Sequence, residues 1–511
     1  GASRMGEAPL SRAVLVLLAF LLAFRLAFAA YSGLVQDEAY YWQWSRSLDL
    51  GFYDAGPGIA LTIRAGTLLF GDTPLGVRFV PVLMGVASVW LAYLTARRWL
   101  GEAAAVWTAV LTATAPLLSV GSILATYDAP QMFFWTAALY ALTRTLQEEQ
   151  RVAGWYAVGA LVGLGMLSKP TMVLFAPGVL VLLLLSPTYR RWLATPHPYL
   201  AFAVAILVFS PVIVWNLQHE NLNFIHTLGR GNRTGDGSPK PLRWLGDFLG
   251  GQLLAVGVVV FLAELYALGR LFRPRSDADR FLLAFTAPTF LLCLAIALRS
   301  KLEINWPVAM HVTGLMAVGA LFAGAWERGG WRRPALGALL ALSGVMIAIG
   351  LFPQIVPAVA GPTPARPNME KPLEPYGWDE LAGGVERARR DLERESEGTP
   401  VFVASFTYRT ASILAFYLPD KPRVEKLQLP GTRRDQYYVW ARPEALAGQN
   451  AVVAVDTDVE KSAAFLRECF AEVRELPVLT LRRDGFTGKV KEWHVYACRD
   501  FRGYPEESPA P

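Results

Sequence analysis

The chain has 511 residues, 53% of them hydrophobic and 18% charged, with a formal charge of +6 at pH 7. Its mean hydropathy of +0.33 fits a polytopic membrane protein better than a soluble one. The basic excess gives no argument for nucleic-acid binding, because Lys and Arg cluster in short loops between apolar stretches, a pattern that sets topology, and three cysteines are too few for a disulfide framework.

Gly1–Arg4 ahead of Met5 resemble a cloning remnant and are set aside. About 20 apolar residues cross a bilayer as a helix, and on that measure the chain carries about eleven spans. They lie near residues 11–31, 76–97, 103–122, 129–146, 153–168, 171–186, 198–217, 246–269, 280–298, 306–325 and 335–353. The first is too long for the apolar region of a signal peptide and is read as a retained span. Ser168-Lys169-Pro170 separates the fifth from the sixth. Arg97 and Arg98, Arg144 and Arg151, Arg190 and Arg191, Arg270 to Arg280 and Arg328 to Arg333 then fall on one side, which the positive-inside rule makes cytoplasmic. The other side receives the loop 32–75, the turn 123–128, Lys169, the loop 218–245, the turn 299–305 and everything after 354.

Three domains follow: a membrane domain over 5–353, a Pro-rich linker over 354–375 and a polar α/β domain over 376–511. In the tail, periodicity predicts helices at 377–395, 408–417 and 458–470, and strands at 401–404, 451–455, 475–482 and 490–497. Cys293 lies in an apolar stretch, whereas Cys469 and Cys498 lie in the tail; two thiols or one disulfide are both open for that pair.

The most informative residues are Asp37 and Glu38, directly after the first span in Asp37-Glu38-Ala39-Tyr40-Tyr41-Trp42. Ionisable groups at membrane depth are costly and usually functional. Asp37 is suited to act as general base on an acceptor hydroxyl, with Glu38 as the second acid or a metal ligand; a helix N-cap is the plain reading of the same residues. The segment 38–75 is expected to form short interfacial helices anchored by Tyr40, Tyr41, Trp42, Trp44, Phe52 and Tyr53. Asp54, in a Tyr-Asp-Ala-Gly-Pro-Gly turn, either caps the helix beginning near Ile59 or joins the site. Asp128 sits where the third and fourth spans meet outside. On that same face Lys169, Arg78 and Lys301 could meet the growing charge of a leaving phosphate, with Glu303 beside Lys301 and Arg25 inside the first span. His219, Glu220 and His226 match no zinc spacing and read as surface residues. A divalent metal is left open, and Asn232-Arg233-Thr234 fits a glycosylation sequon.

The acidic pair with Ala39-Tyr40-Tyr41, the Tyr53-Asp54-x-x-Pro57 turn, Thr126-x-Asp128 and Leu167-Ser168-Lys169 together resemble the GT-C glycosyltransferases. The nearest group is the dolichyl-phosphate-mannose-protein mannosyltransferase-like set, glycosyltransferase family 39, with the aminoarabinose transferases of lipid A. The resemblance covers about residues 10–350 and departs where relatives carry His-Pro-Pro and this chain has Ala55-Gly56-Pro57. It implies a GT-C type membrane fold and transfer of a sugar from a polyprenyl (undecaprenyl) phosphate. The acceptor is a lipid, glycan or protein hydroxyl on the periplasmic face of the bacterial inner membrane, and the displacement inverts. Asp37 is then the base, Asp128 a second required acid, and Lys169 the holder of the lipid phosphate. The competing readings are a lipid-linked oligosaccharide ligase or polymerase and a transporter or flippase. The transporter is disfavoured because the charges crowd one face and no internal repeat is visible.

Overall fold

The computed structural model describes residues 11–148, 152–230, 240–364, 377–396 and 398–505. Gly1–Arg4, the Asn232 sequon and residues 365–376 of the Pro-rich linker lie outside the described residues. In chain order the helices are α1 (Arg12–Tyr31), α2 (Gln36–Arg46), α3 (Gly58–Phe70), α4 (Pro74–Leu100), α5 (Glu102–Thr114), α6 (Pro116–Gly121), α7 (Asp128–Gln147) and α8 (Val152–Met166). A 3-10 turn at Pro170–Leu174 leads into α9 (Phe175–Leu185). Then come α10 (His197–Gln218), α11 (Leu222–Arg230), α12 (Pro241–Val256), α13 (Val258–Leu271), α14 (Asp277–Ala297), α15 (Val308–Arg328) and α16 (Arg332–Leu351).

The interruptions have local causes. Pro116 lacks an N–H to continue the ladder and divides α5 from α6. Gly257, at φ +94°, divides α12 from α13, whose axes bend by 109°. Pro170 drives Lys169 out of the helical region, to φ −146° and ψ 123°, just beyond the end of α8.

Among the described residues six helices are long and apolar enough to cross a membrane, seven if the α12–α13 pair counts as one span. Every segment expected to span falls on helix, but α8 and the Pro170–Leu185 stretch are short, so the sequence-based number exceeds the full-length spans. Outward-facing Val16, Leu207 and Leu217 are each about 70% exposed (69%, 70% and 74%), an apolar surface suited to lipid. The chain is a multi-pass membrane protein.

Two compact units divide the chain: Gly1–Ala30, Asp49–Leu69 and Arg78–Ile347 form the first, and Tyr31–Leu48, Phe70–Val77 and Ala348–Pro511 the second. This corrects the expectation that the loop 32–75 belongs wholly to the membrane domain. Within the second unit, α2 packs on the helix Tyr408–Tyr417, with the rings of Tyr40 and Tyr408 4.5 Å apart and those of Trp42 and Phe416 4.9 Å apart. The short helices α2 and α3 form as expected, but Tyr40, Tyr41, Trp42, Trp44 and Phe52 are buried instead of anchoring in the interface.

The second unit holds a five-stranded sheet of order β3-β2-β4-β7-β5, from β2 (Val401–Ser405), β3 (Val424–Lys426), β4 (Asn450–Val455), β5 (Phe470–Leu481) and β7 (Lys491–Phe501). Two-residue strands β1 (Thr363–Pro364) and β6 (Phe486–Thr487) pair separately. β2 runs parallel to β3 and β4, while β7 is antiparallel to β4 and β5. All of β4 is buried, as a strand covered on both faces requires. Helices Trp378–Glu395, Tyr408–Tyr417 and Val459–Cys469 match the predicted ones; β3 and the helix Gln436–Trp440 are too short for periodicity to reveal. Cys469 and Cys498 are free thiols buried in this core, so the disulfide reading does not hold in this structure. Burial raises both, Cys469 to about 12.

Candidate active site

In the first unit the backbone breaks bring a few polar groups together. The turn at 53–58 docks on the end of α8, where Gly58 donates its N–H to the Leu167 carbonyl at 2.9 Å. Gly56 and Gly58 allow this approach, because a methyl at either position would overlap the backbone of Leu167 or Ser168. Lys169, whose N–H still bonds to the Gly165 carbonyl at 3.0 Å but whose φ/ψ are extended ahead of Pro170, donates through Nζ to Asp128 Oδ1 at 2.6 Å. Asp128 opens α7, where a carboxylate faces the positive end of the helix. Its other oxygen, Oδ2, accepts from Asn305 Nδ2 at 2.7 Å. The two side chains of the ion pair are 8% and 15% exposed, and the Tyr127 ring lies 5.4 Å from Nζ.

This cluster lies between two cavities. One, of about 270 Å³, is walled mainly by apolar groups such as Val89, Leu118, Met132 and Val312, and Asp128, Asn305 and Thr126 also line it. The other, of about 100 Å³, is lined by Asp54, Tyr127, Ser168, Lys169, Thr227 and Trp306. Asp128 faces the first and Lys169 the second, so their ion pair stands on the shared wall. Lys169 has three N–H donors and commits one to Asp128, leaving two for an anion. A mainly apolar cleft of about 230 Å³ at α8–α10 carries no charged side chain in its lining.

Asp54 lies four residues ahead of the start of α3 at Gly58. Its carboxylate faces His226 Nε2 at 3.3 Å, with both side chains buried, and the Tyr53 ring is 5.0 Å from the imidazole. The reading of His226 as a surface residue is therefore corrected: α11 folds back so that Asn223 Nδ2 donates to the carbonyls of Phe52 and Tyr53, at 2.9 and 3.2 Å. His219 instead stacks on Trp215, at 4.1 Å between rings. Arg78 is fully buried and its Nη1 donates to the Ala29 carbonyl at 3.5 Å. Arg25 is also buried, and among the described residues neither of its terminal nitrogens has a hydrogen-bond partner. Lys301 and Glu303 are exposed and line neither cavity; Asn305, a few residues on, reaches Asp128 instead. Asn305 did not stand out in sequence, because an Asn beside Trp306-Pro307 reads as an ordinary turn residue.

Asp37, Glu38, Tyr40 and Tyr41 belong to the second unit. Capping falls to Glu38, whose Oε2 accepts from the Val35 N–H at 2.9 Å. Asp37 is left half-buried, and its Oδ1 accepts from the Tyr408 hydroxyl at 3.1 Å. Burial, and then the Asp37 charge, raise the Tyr408 phenol well above its ordinary value, keeping it a donor. The Tyr40 hydroxyl accepts from the Gln436 N–H at 2.7 Å. No group of three or more His, Cys, Asp or Glu side chains placed to hold a metal ion occurs among the described residues.

Comparison with known proteins follows the same lines. Residues 54–215 match the family described as dolichyl-phosphate-mannose-protein mannosyltransferase. A lipid A galacturonosyltransferase, RgtD, of Rhizobium johnstonii is 34% identical over 298 residues, 57% of this chain and 61% of that protein. An undecaprenyl phosphate-alpha-4-amino-4-deoxy-L-arabinose arabinosyl transferase of Pseudomonas paraeruginosa is 32% identical over 215 residues, 39% of each chain. These matches span about three fifths and two fifths of the relatives' lengths. In three dimensions the chain superposes on ArnT from Cupriavidus metallidurans bound to undecaprenyl phosphate with a TM-score of 0.64, covering 95% of this chain and 98% of ArnT at 16% identity. The fold is of the GT-C type. The fold match covers 95% of the chain and so takes in the α/β tail as well.

Proposed function

We propose that this GT-C chain is a glycosyltransferase that moves a sugar from a polyprenyl phosphate to a hydroxyl of a lipid-borne glycan of the lipid A kind. One observation carries the reading: the Asp128–Lys169 pair on the wall between a large, mainly apolar cavity and a smaller one that also presents Asp54, Ser168 and Thr227. An amphiphile with an apolar tail, an anionic phosphate and a polar sugar matches that sequence of surroundings. The acceptor oxygen attacks the anomeric carbon, the bond from that carbon to the phosphate oxygen breaks, and polyprenyl phosphate leaves with the electron pair. Lys169, oriented by Asp128, meets the charge that grows on the phosphate, and Trp306 and Thr227 offer a ring and a hydroxyl to the sugar. Asp37 takes the acceptor proton, with its carboxylate oriented by Tyr408. The named relatives support this donor and this acceptor class. The basic loops at Arg97–Arg98, Arg144, Arg190–Arg191 and Arg270–Arg280 support an inner-membrane orientation with the site and tail facing the periplasm.

The test is to incubate the purified protein in lipid with polyprenyl-phosphate sugars and a lipid A acceptor, and to measure release of polyprenyl phosphate, with Asp37→Asn alongside. Release that depends on Asp37 supports the reading. No release with any donor overturns it, and an unaffected Asp37→Asn moves the base elsewhere.

A further inference from the structure

Three polar side chains are buried among apolar helices and take no part in the chemistry above. Glu264 on α13 is 3% exposed, and His311 on α15 and Gln252 on α12 are 0% exposed. His311 Nδ1 lies 3.0 and 2.8 Å from the two Glu264 oxygens, and its Nε2 lies 3.0 Å from Gln252 Oε1. The Gln252 amide donates in turn, through Nε2, to the Ile304 carbonyl at 3.3 Å. That contact turns the amide oxygen toward the ring, where it is placed to accept from His311 Nε2. A hydrogen bond between Nδ1 and Glu264 requires one shared proton, and with it the pair is neutral overall whichever partner holds it. A neutral, fully bonded pair is the form a low-dielectric interior tolerates.

The arrangement is built for this contact. Gly314, one turn along α15 from His311, leaves the space that the Glu264 carboxylate occupies; a methyl there would overlap it. Gln252 and Glu264 lie on opposite arms of the 109° elbow at Gly257, so the His311 bridge ties the arms together. The chain of contacts ends at Ile304, and the next residue is Asn305, whose amide holds Asp128 Oδ2.

We propose that Glu264, His311 and Gln252 are positioning residues: they clamp the 304–305 backbone so that Asn305 holds Asp128, and Asp128 in turn holds Lys169. The inference rests on the reading of Asp128–Lys169 as the reacting centre, but its test does not need turnover. The reactivity of Lys169 toward a small amine-acylating reagent is followed by peptide mass spectrometry on the full chain in nanodiscs. Asn305→Ala loosens Asp128 and raises the acylation rate by roughly tenfold. Gln252→Glu keeps an acceptor for His311, removes the amide donor to Ile304 and adds an ionisable carboxyl beside the Glu264–His311 pair; it raises the rate to the same level, and the double variant goes no higher. A Gln252→Glu rate within about twofold of wild type overturns the proposal, as does a double variant in which the two effects multiply. If Gln252→Glu does not yield folded protein, Gln252→Leu removes that donor together with the acceptor for His311, and its rate is judged by the same limits. Sugar transfer, measured in parallel, loses kcat with little change in KM when positioning fails. The labelling pattern without turnover of any donor would leave the clamp standing and remove the transferase reading.

Discussion

Lys169→Met removes the cation and keeps the length of the side chain. In the resting protein the ion pair at 2.6 Å is largely shielded, and a hydrogen bond to a charged group contributes about 1.5–3 kcal/mol. Asp128 keeps its bond from Asn305 and is 15% exposed, so the stability lost is about 1–3 kcal/mol, below the 3–5 of a fully enclosed pair. Catalysis is expected to lose more than stability does. A donor aimed at charge that develops in the transition state contributes roughly 2.7–4 kcal/mol, or about 10²–10³ in kcat. The assay is initial-rate release of polyprenyl phosphate from a labelled donor, with the thermal midpoint measured on the same preparation. Combining Lys169→Met with Asp128→Asn completes a double-mutant cycle, and residues in direct contact couple by about 0.5–3 kcal/mol. A kcat within about threefold of wild type, or losses that simply add, would refute the assignment of Lys169 to the leaving phosphate.

Gly58→Ala places a methyl against the Ser168 backbone and separates the Asp54 turn from the Lys169 break. It is expected to cut sugar transfer by about tenfold or more while the tail, probed by limited proteolysis, stays intact. Gly314→Ala drives a methyl into the Glu264 carboxylate and should lower the thermal midpoint of the membrane unit by several degrees, equivalent to about 1–3 kcal/mol; an unchanged midpoint would show that Glu264 has room to move. Tyr408→Phe removes the hydroxyl on Asp37 Oδ1 and is expected to lower kcat by about 5–30-fold, with the protein still folded. Tyr408, Tyr437, Tyr504 and Cys469 in the second unit are all raised, chiefly by burial, Tyr504 and Cys469 each to about 12. Their protonated forms therefore favour the folded state. Their contribution is whole below the ordinary values of 9.0 for Cys and 10.0 for Tyr, and fades as pH rises toward about 12. Denaturant melts of the full chain, followed through the tail tryptophans, should show falling stability over that window; a flat profile would refute it.

How much of this was legible in the sequence depended on whether a residue announced itself by contrast with its neighbours. Asp37, Asp128 and Lys169 did, because a charge at the edge of an apolar span has no structural need to be there, and Pro170 marked the backbone break that releases Lys169. The tail helices and strands were legible because amphipathic periodicity is local. His226 was misread for the opposite reason. It sits in the segment 218–245, read as an outer loop, and only the fold-back of α11 brings it to Asp54. Asn305 gave no signal, since a neutral amide in a turn costs nothing until a carboxylate arrives from a residue far away in sequence. Glu264 and His311 are the instructive omission. Each is an ionisable group inside an apolar segment, the same contrast that singled out Asp37, yet both lie away from the loops where the other charges gather. Burying an unpaired charge in such a segment is so costly that the amino-acid pattern alone implies a partner for it. A Glu and a His on separate apolar helices are the pair that can satisfy each other while remaining neutral together.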